Sequence, residues 1–273
     1  MNFDERTLAR LATGVENRDP NVIEAVARFA PGHARVVGIT GPPGAGKSTL
    51  VSALATALRG QGKTLAIIAV DPTSGISGGA ILGDRIRMQQ HHADPGIFIR
   101  SMATRGNLGG LARATADMVR LMDAAGKDYV IIETVGVGQA EIAIADLAQV
   151  TVVVLVPGMG DDVQAIKAGI LEIADIFAIN KSDQPGAGRV QQELEANGWT
   201  APIVKTVATT GEGTSSLLAA IEHAPNRTAT LRKRSITVHV TNLKEAVACL
   251  QAAQLLVEPP ASVILELIEE PGE

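Results

Sequence analysis

Between Arg35 and Val207, short runs of β-branched and other apolar residues alternate with longer segments of helical period. The runs are Val36–Thr40, Thr64–Val70, Ile97–Ser101, Tyr129–Thr134, Val150–Val156, Ile176–Asn180 and Ile203–Val207. Strands separated by a helix cannot pair as tight hairpins. The connection crosses over instead, which makes neighbouring strands parallel and sets helices on both faces of the sheet. Val152-Val153-Val154-Leu155-Val156 is apolar at every position, as a strand covered on both sides requires. The expected fold class is therefore α/β, with a mostly parallel central sheet of about seven strands. Ahead of the sheet, Leu8, Leu11 and Val15, then Val22, Ile23, Val26 and Phe29, recur at helical spacing. Asp19-Pro20 divides them into two helices, an N-terminal helical extension. After Ala224 the texture shifts to a linker, Pro225–Thr228, then a strand–helix–strand tail of Ile236–Val240, Leu243–Leu255 and Val263–Ile268.

Composition narrows the function classes. Lys and Arg number 24 against 29 Asp and Glu, a net charge of −5, which disfavours a general grip on nucleic acid or anionic membrane. Aromatics at 2% leave little for base stacking. One cysteine, Cys249, builds neither an internal disulfide nor a thiolate cage, consistent with a reducing compartment. Val150–Pro157 is too short to span a bilayer, and Met1–Arg6 lacks the apolar core of a signal peptide. A soluble, cytoplasmic chain with no nucleic-acid or membrane partner is expected. Of five histidines only His91 and His92 are adjacent, and helical neighbours point apart, so no histidine metal site is expected.

The chemistry sits at the strand ends. Gly41-Pro42-Pro43-Gly44-Ala45-Gly46-Lys47-Ser48-Thr49 fits G-x-x-x-x-G-K-[ST] between an apolar strand and a helix running from Ser48 through Leu58. Its glycines let backbone N–H groups turn in on phosphate oxygens, while the helix N-terminus adds a favourable dipole. Lys47 is placed to reach the β- and γ-phosphates and Ser48 to ligate Mg²⁺. Asn180-Lys181-Ser182-Asp183 fits N-K-x-D, in which the aspartate accepts from guanine N1–H and the exocyclic amine, donors that adenine does not offer in that arrangement. Glu133-Thr134-Val135-Gly136 puts a carboxylate at a strand tip, fit to hold Mg²⁺ through water, with the Gly136 N–H free for a γ-phosphate. Most GTPases carry Asp where Glu133 stands. Asp71, at a strand's carboxyl end, is well placed for function, whereas Asp84 reads equally as a helix N-cap.

On these residues the chain resembles the MeaB/ArgK family of P-loop GTPases, which includes the human MMAA type. The likeness runs from about Leu8 to about His223. It rests on Gly41–Thr49, Asp71–Ser74, Gly78–Arg85, Ser101–Gly110, Glu133–Gln139, Pro157–Asp162 with Gln164 and Lys167, and Asn180–Asp183. It implies a GTP-hydrolysing chaperone that gates cofactor loading and protects an adenosylcobalamin-dependent acyl-CoA mutase, usually methylmalonyl-CoA mutase, with GTP/GDP and Mg²⁺ as ligands. Hydrolysis should be slow alone and stimulated by the partner. It further implies phosphate, Mg²⁺ and switch roles for Lys47, Asp71, Asp84 and Glu133, and a base-loop backbone contact at Ala208. Arg85, Arg105, Gln139 and the Gly160–Lys167 segment with Asp161, Gln164 and Lys167 are the implied switch positions. The implied organisation is a helical extension over 1–34, a GTPase domain over 35–224 and an appendage over 225–273. A homodimer is expected with no mode assigned, because the tail reads strand–helix–strand where family members carry a long helical dimerisation arm. Many relatives also have Ser-Ala where this chain has Val207-Ala208. The competing readings are a metal-centre assembly GTPase, which needs a Cys/His cluster near the nucleotide, and a small-molecule kinase of the transport-associated type.

Overall fold

The computed structural model describes residues 3–71, 91, 93–103, 108–134, 146–158, 168–226, 235–240 and 262–267. The alternating runs become β1 (Arg35–Thr40), β2 (Leu65–Asp71), β3 (Ile97–Ala103), β4 (Tyr129–Thr134), β5 (Val150–Leu155), β6 (Ile176–Ile179) and β7 (Ile203–Lys205). They form one seven-stranded sheet in the order β3-β2-β4-β1-β5-β6-β7, with every pair parallel. From β1 the chain goes out on one side to β2 and then β3 at the edge, returns to β4 between β2 and β1, and crosses to the other side at β5. The crevice beyond the carboxyl end of β1 is thus the topological switch point, where ligands bind in open sheets of this kind.

The helices are α1 (Glu5–Glu16), α2 (Pro20–Ala27), α3 (Lys47–Gly60), α4 (Leu108–Ala124), α5 (Ala168–Glu172), α6 (Ala187–Ala196) and α7 (Thr214–His223). The Asp19-Pro20 break is a cap: the Asp19 carboxylate accepts from the Asn21 N–H, and Pro20 opens α2 where its missing N–H costs no bond. Alternation along each strand sends side chains to opposite layers. Val37, Ile39, Ile67 and Ile131 pack against Leu50, Leu54 and Leu58 of α3 and Leu217 and Ile221 of α7. Val36, Ala66, Ile68 and Ile132 pack against Met118 and Leu121 of α4 and Leu8 and Val15 of α1. Val153, Leu155, Phe177 and Ile179 pack against Leu194 of α6. Burial on both faces is why the strands read as continuous apolar runs.

Polar ties fix the N-terminal helices to this framework. Arg18 bonds Asp117 of α4 at 2.6 Å, and Arg100 of β3 pairs with Glu16 of α1. Arg35 donates to the Ile221 and Ala224 carbonyls at the end of α7. Beside it the Tyr129 hydroxyl donates to Glu222 at 3.2 Å, and burial together with that carboxylate pushes its pKa up to about 12.

The chain divides into two compact units, Met1–Pro225 and Asn226–Glu273. In the second, β8 (Ser235–Val240) and β9 (Ser262–Leu267) pair in parallel, Ser235 opposite Ser262 through Val240 opposite Leu267. The helix read over Leu243–Leu255 lies outside the described residues. Among the described residues, no helix is long and apolar enough to cross a membrane.

Candidate functional site

β1 delivers the chain into Gly41–Gly46, and α3 begins at Lys47. Gly41, Gly44 and Gly46 turn the loop at φ of 139°, 77° and 85°. A Cβ at Gly41 would lie 2.2 Å from the Val154 carbonyl oxygen, and one at Gly46 would lie 2.5 Å from Asn180 Nδ2. Both positions need glycine for backbone angle and for close approach. Gly46 is the N-cap of α3 and brings no side chain to it. The first-turn N–H groups of α3 have no acceptor within their own helix, an arrangement that suits phosphate oxygens.

Lys47 is buried, 7% exposed, and its Nζ donates to the Gly41 and Pro42 carbonyls at 2.8 and 3.0 Å. The ammonium therefore lies back across the loop. The next residue, Ser48, donates its hydroxyl to Glu133 Oε1 at 2.5 Å, joining α3 to the tip of β4. A hydroxyl and a carboxylate at the mouth of a phosphate loop are hard oxygen donors that fit Mg²⁺. Behind them, Thr134 donates to Thr40 Oγ1 at 3.0 Å; both threonines are 1% exposed. That pair ties the root of the phosphate loop to the end of β4, one residue beyond the last paired positions, Ile39 and Glu133. Asp71 is the final residue of β2.

The second corner of the site follows β6. Asn180 is 2% exposed and makes three contacts: its Nδ2 donates to the Ala45 carbonyl at 2.8 Å, while its Oδ1 accepts from Thr206 Oγ1 and the Ala208 N–H at 3.2 and 3.1 Å. Lys181 takes φ of 54°, unusual for a residue with a Cβ, and its Nζ donates to the Gly44 carbonyl at 2.9 Å. Two side chains of the N-K-x-D motif thus hold the phosphate loop from the far side of the sheet. The third, Asp183, is exposed in the turn that follows. The Ala208 N–H, expected at the base, is committed to Asn180 in this structure.

The structure therefore brings together Gly41–Ser48, Glu133, Asn180, Lys181 and Ala208 around one crevice. Asp84, Arg85, Arg105, Gly136, Gln139, Asp161, Gln164 and Lys167 lie outside the described residues. Sequence reasoning missed Thr206, which is fully buried, and the Thr40–Thr134 pair. The only signal for either was a hydroxyl residue at a strand end next to a motif.

The family model described as methylmalonyl-CoA mutase-associated GTPase MeaB matches residues 8–253. A protein of Pyrococcus horikoshii named as a candidate GTPase is 52% identical over 227 residues, covering 78% of this chain and 72% of its own. The mouse methylmalonic aciduria type A homolog, mitochondrial by name, is 41% identical over 193 residues, covering 66% of this chain and 46% of its own. A solved structure described as an LAO/AO transport system kinase aligns at TM-score 0.65 and 26% identity, covering 93% of this chain and 78% of that one. HypB from Helicobacter pylori in complex with nickel aligns at TM-score 0.53 and 17% identity, covering 80% of this chain and 97% of its own, a likeness of fold alone. This chain belongs to the MeaB/ArgK family of methylmalonyl-CoA mutase-associated GTPases.

Proposed function

We propose that the chain binds GTP with Mg²⁺, hydrolyses it to GDP and phosphate, and serves as a chaperone to an adenosylcobalamin-dependent acyl-CoA mutase. The observation that carries the nucleotide half is the bracing of the phosphate loop by Asn180 and Lys181, which makes the guanine motif and the phosphate site one rigid unit. The family description supports the mutase half.

Within this reading, Ser48, Glu133 and Asp71 hold Mg²⁺, with Asp84 as the fourth candidate. The ion, when bound, neutralises charge on the β- and γ-phosphates. Lys47 exchanges the Gly41 and Pro42 carbonyls for phosphate oxygens, so its position is set before the nucleotide arrives. Asp183 reads guanine from the exposed turn. Switch roles are assigned to Arg85, Arg105, Gln139 and the Gly160–Lys167 segment, the last of which senses the partner, and the GTPase chemistry to 35–224. Gln139 lies three residues past Gly136 rather than beside it, and the sequence marks no arginine as a finger, so a partner is expected to complete the transition-state shell.

The test is GTP hydrolysis with and without the mutase from the same organism. Turnover is expected to rise at least about tenfold with the partner, roughly 1.4 kcal/mol of barrier. Fast hydrolysis by the chain alone, unaltered by the mutase, would contradict the chaperone reading.

A further inference from the structure

At the level of Thr40 and Thr134 the main sheet changes partners. Thr40 is in register with Val153 of β5 and Thr134 with Val70 of β2, while β1 and β4 pair with each other only as far as Ile39 and Glu133. This is the switch point, where a crevice opens beyond the strand ends. Alternation turns Ile39 and Glu133 toward α3 and sends Thr40 and Thr134 to the opposite face of the sheet. There the Thr134 hydroxyl donates to Thr40 Oγ1 at 3.0 Å, and both residues are 1% exposed. Among the described residues this bond is the last tie between β1 and β4 before the chain enters the phosphate loop.

Two valines would fill the same volume at these strand positions, and a buried hydroxyl pair contributes little stability over such an apolar pair. What the bond adds is a fixed separation between two strand ends that no backbone ladder joins any longer. Each end carries one half of the metal site. Glu133 precedes Thr134 and accepts the Ser48 hydroxyl at 2.5 Å, while Thr40 leads through the loop to Lys47 and Ser48. We propose that Thr40 and Thr134 are positioning residues for Mg²⁺: their bond holds the ends of β1 and β4 at the spacing that lets the Ser48 hydroxyl and the Glu133 carboxylate reach one ion. The inference rests on the Mg²⁺ reading of Ser48 and Glu133 given above. It separates the metal from the grip on phosphate, because the loop has its own braces in Asn180 to Ala45 and Lys181 to Gly44, neither of which passes through β4.

The experiment measures calorimetric binding of a non-hydrolysable GTP analogue, in Mg²⁺ and in EDTA, to the full-length wild type and to variants. These are Thr40→Val, Thr134→Val, Thr134→Ser and the double variant Thr40→Val with Thr134→Val. The readout is the factor by which Mg²⁺ tightens binding. Bonds that orient metal ligands are worth roughly 10–100-fold in metal affinity, so each valine variant is expected to lower that factor about tenfold. Affinity in EDTA should stay within about twofold of wild type, and Thr134→Ser, which keeps the hydroxyl, should keep the factor. One bond is at stake, so the double variant should lose no more than either single. Its melting temperature should nonetheless recover toward wild type, since neither hydroxyl is left unpaired, and it decides the matter if a single variant does not fold. A merely structural pair would restore the Mg²⁺ factor along with the melting temperature. A wild-type factor in the double variant therefore overturns the inference, as do single losses that multiply in the double, an equal loss in EDTA, or a serine variant no better than valine. A wild-type chain whose analogue binding is indifferent to Mg²⁺ removes the Mg²⁺ reading and this inference with it; a responsive wild type with indifferent variants removes this inference alone.

Discussion

Replacing Lys47 with alanine is expected to lower GTP turnover by two orders of magnitude or more. In the structure the ammonium is not a free cation at the site mouth. It is buried and donates to two carbonyls of its own loop, Gly41 and Pro42, so the wild-type loop is shaped around it. On the proposed reading alanine removes the charge that would face the transferred phosphoryl group, and the loss of a preorganised donor costs on the order of 10²–10³ in rate. It also leaves two carbonyls without their donor, so loop order should suffer together with catalysis. The remaining braces, Asn180 to Ala45 and Lys181 to Gly44, still hold the loop from the other side. The far-ultraviolet circular dichroism of Lys47→Ala should therefore match wild type while hydrolysis nearly disappears. Turnover within a few-fold of wild type would show that the phosphate site lies elsewhere.

Changing Asp183 to asparagine is expected to exchange one nucleotide preference for another. Asp183 is exposed in the turn after Lys181, whose own backbone is fixed by its left-handed conformation and by its bond to Gly44. On the proposed reading a carboxylate held there would accept from guanine N1–H and from the exocyclic amine. Asparagine presents an N–H to one of those donors, and the mismatch is expected to weaken GTP binding by roughly 2–4 kcal/mol. Xanthine carries an oxygen where guanine carries the amine and can accept from the new amide, so XTP binding should improve. Calorimetric titrations of both nucleotides against both proteins check this. Unchanged GTP affinity in the variant would remove Asp183 from the base site.

The alternation of apolar runs made all the strands of the main sheet legible, and their positions agree to within a residue or two at most ends. Two ends differ by two residues: β3 runs on past Ser101 to Ala103, and β7, read over Ile203–Val207, ends at Lys205. Past that point the Thr206 N–H still bonds Ile179, but Val207 turns to bridge Glu212, five residues on, a tight turn that strand propensity does not announce. Strand order was not legible, because strands buried on both faces carry no mark of which neighbour they will meet. The motifs located both corners of the site. What they concealed is the wiring between the corners. Asn180 and Ala45 are 135 residues apart and meet only because β6 and β1 end at the same rim, with β5 between them.

We infer that the crevice beyond β1 is a phosphate site locked to a guanine-reading turn by Asn180 and Lys181. The most direct test is calorimetric titration of the wild-type chain with GTP and with ATP in the presence of Mg²⁺. GTP is expected to bind at least about 100-fold more tightly, the discrimination available to a site whose polar groups are left unpaired by the wrong base. Equal affinities, or a preference for ATP, would contradict the assignment of Asn180–Asp183 as the base-reading corner.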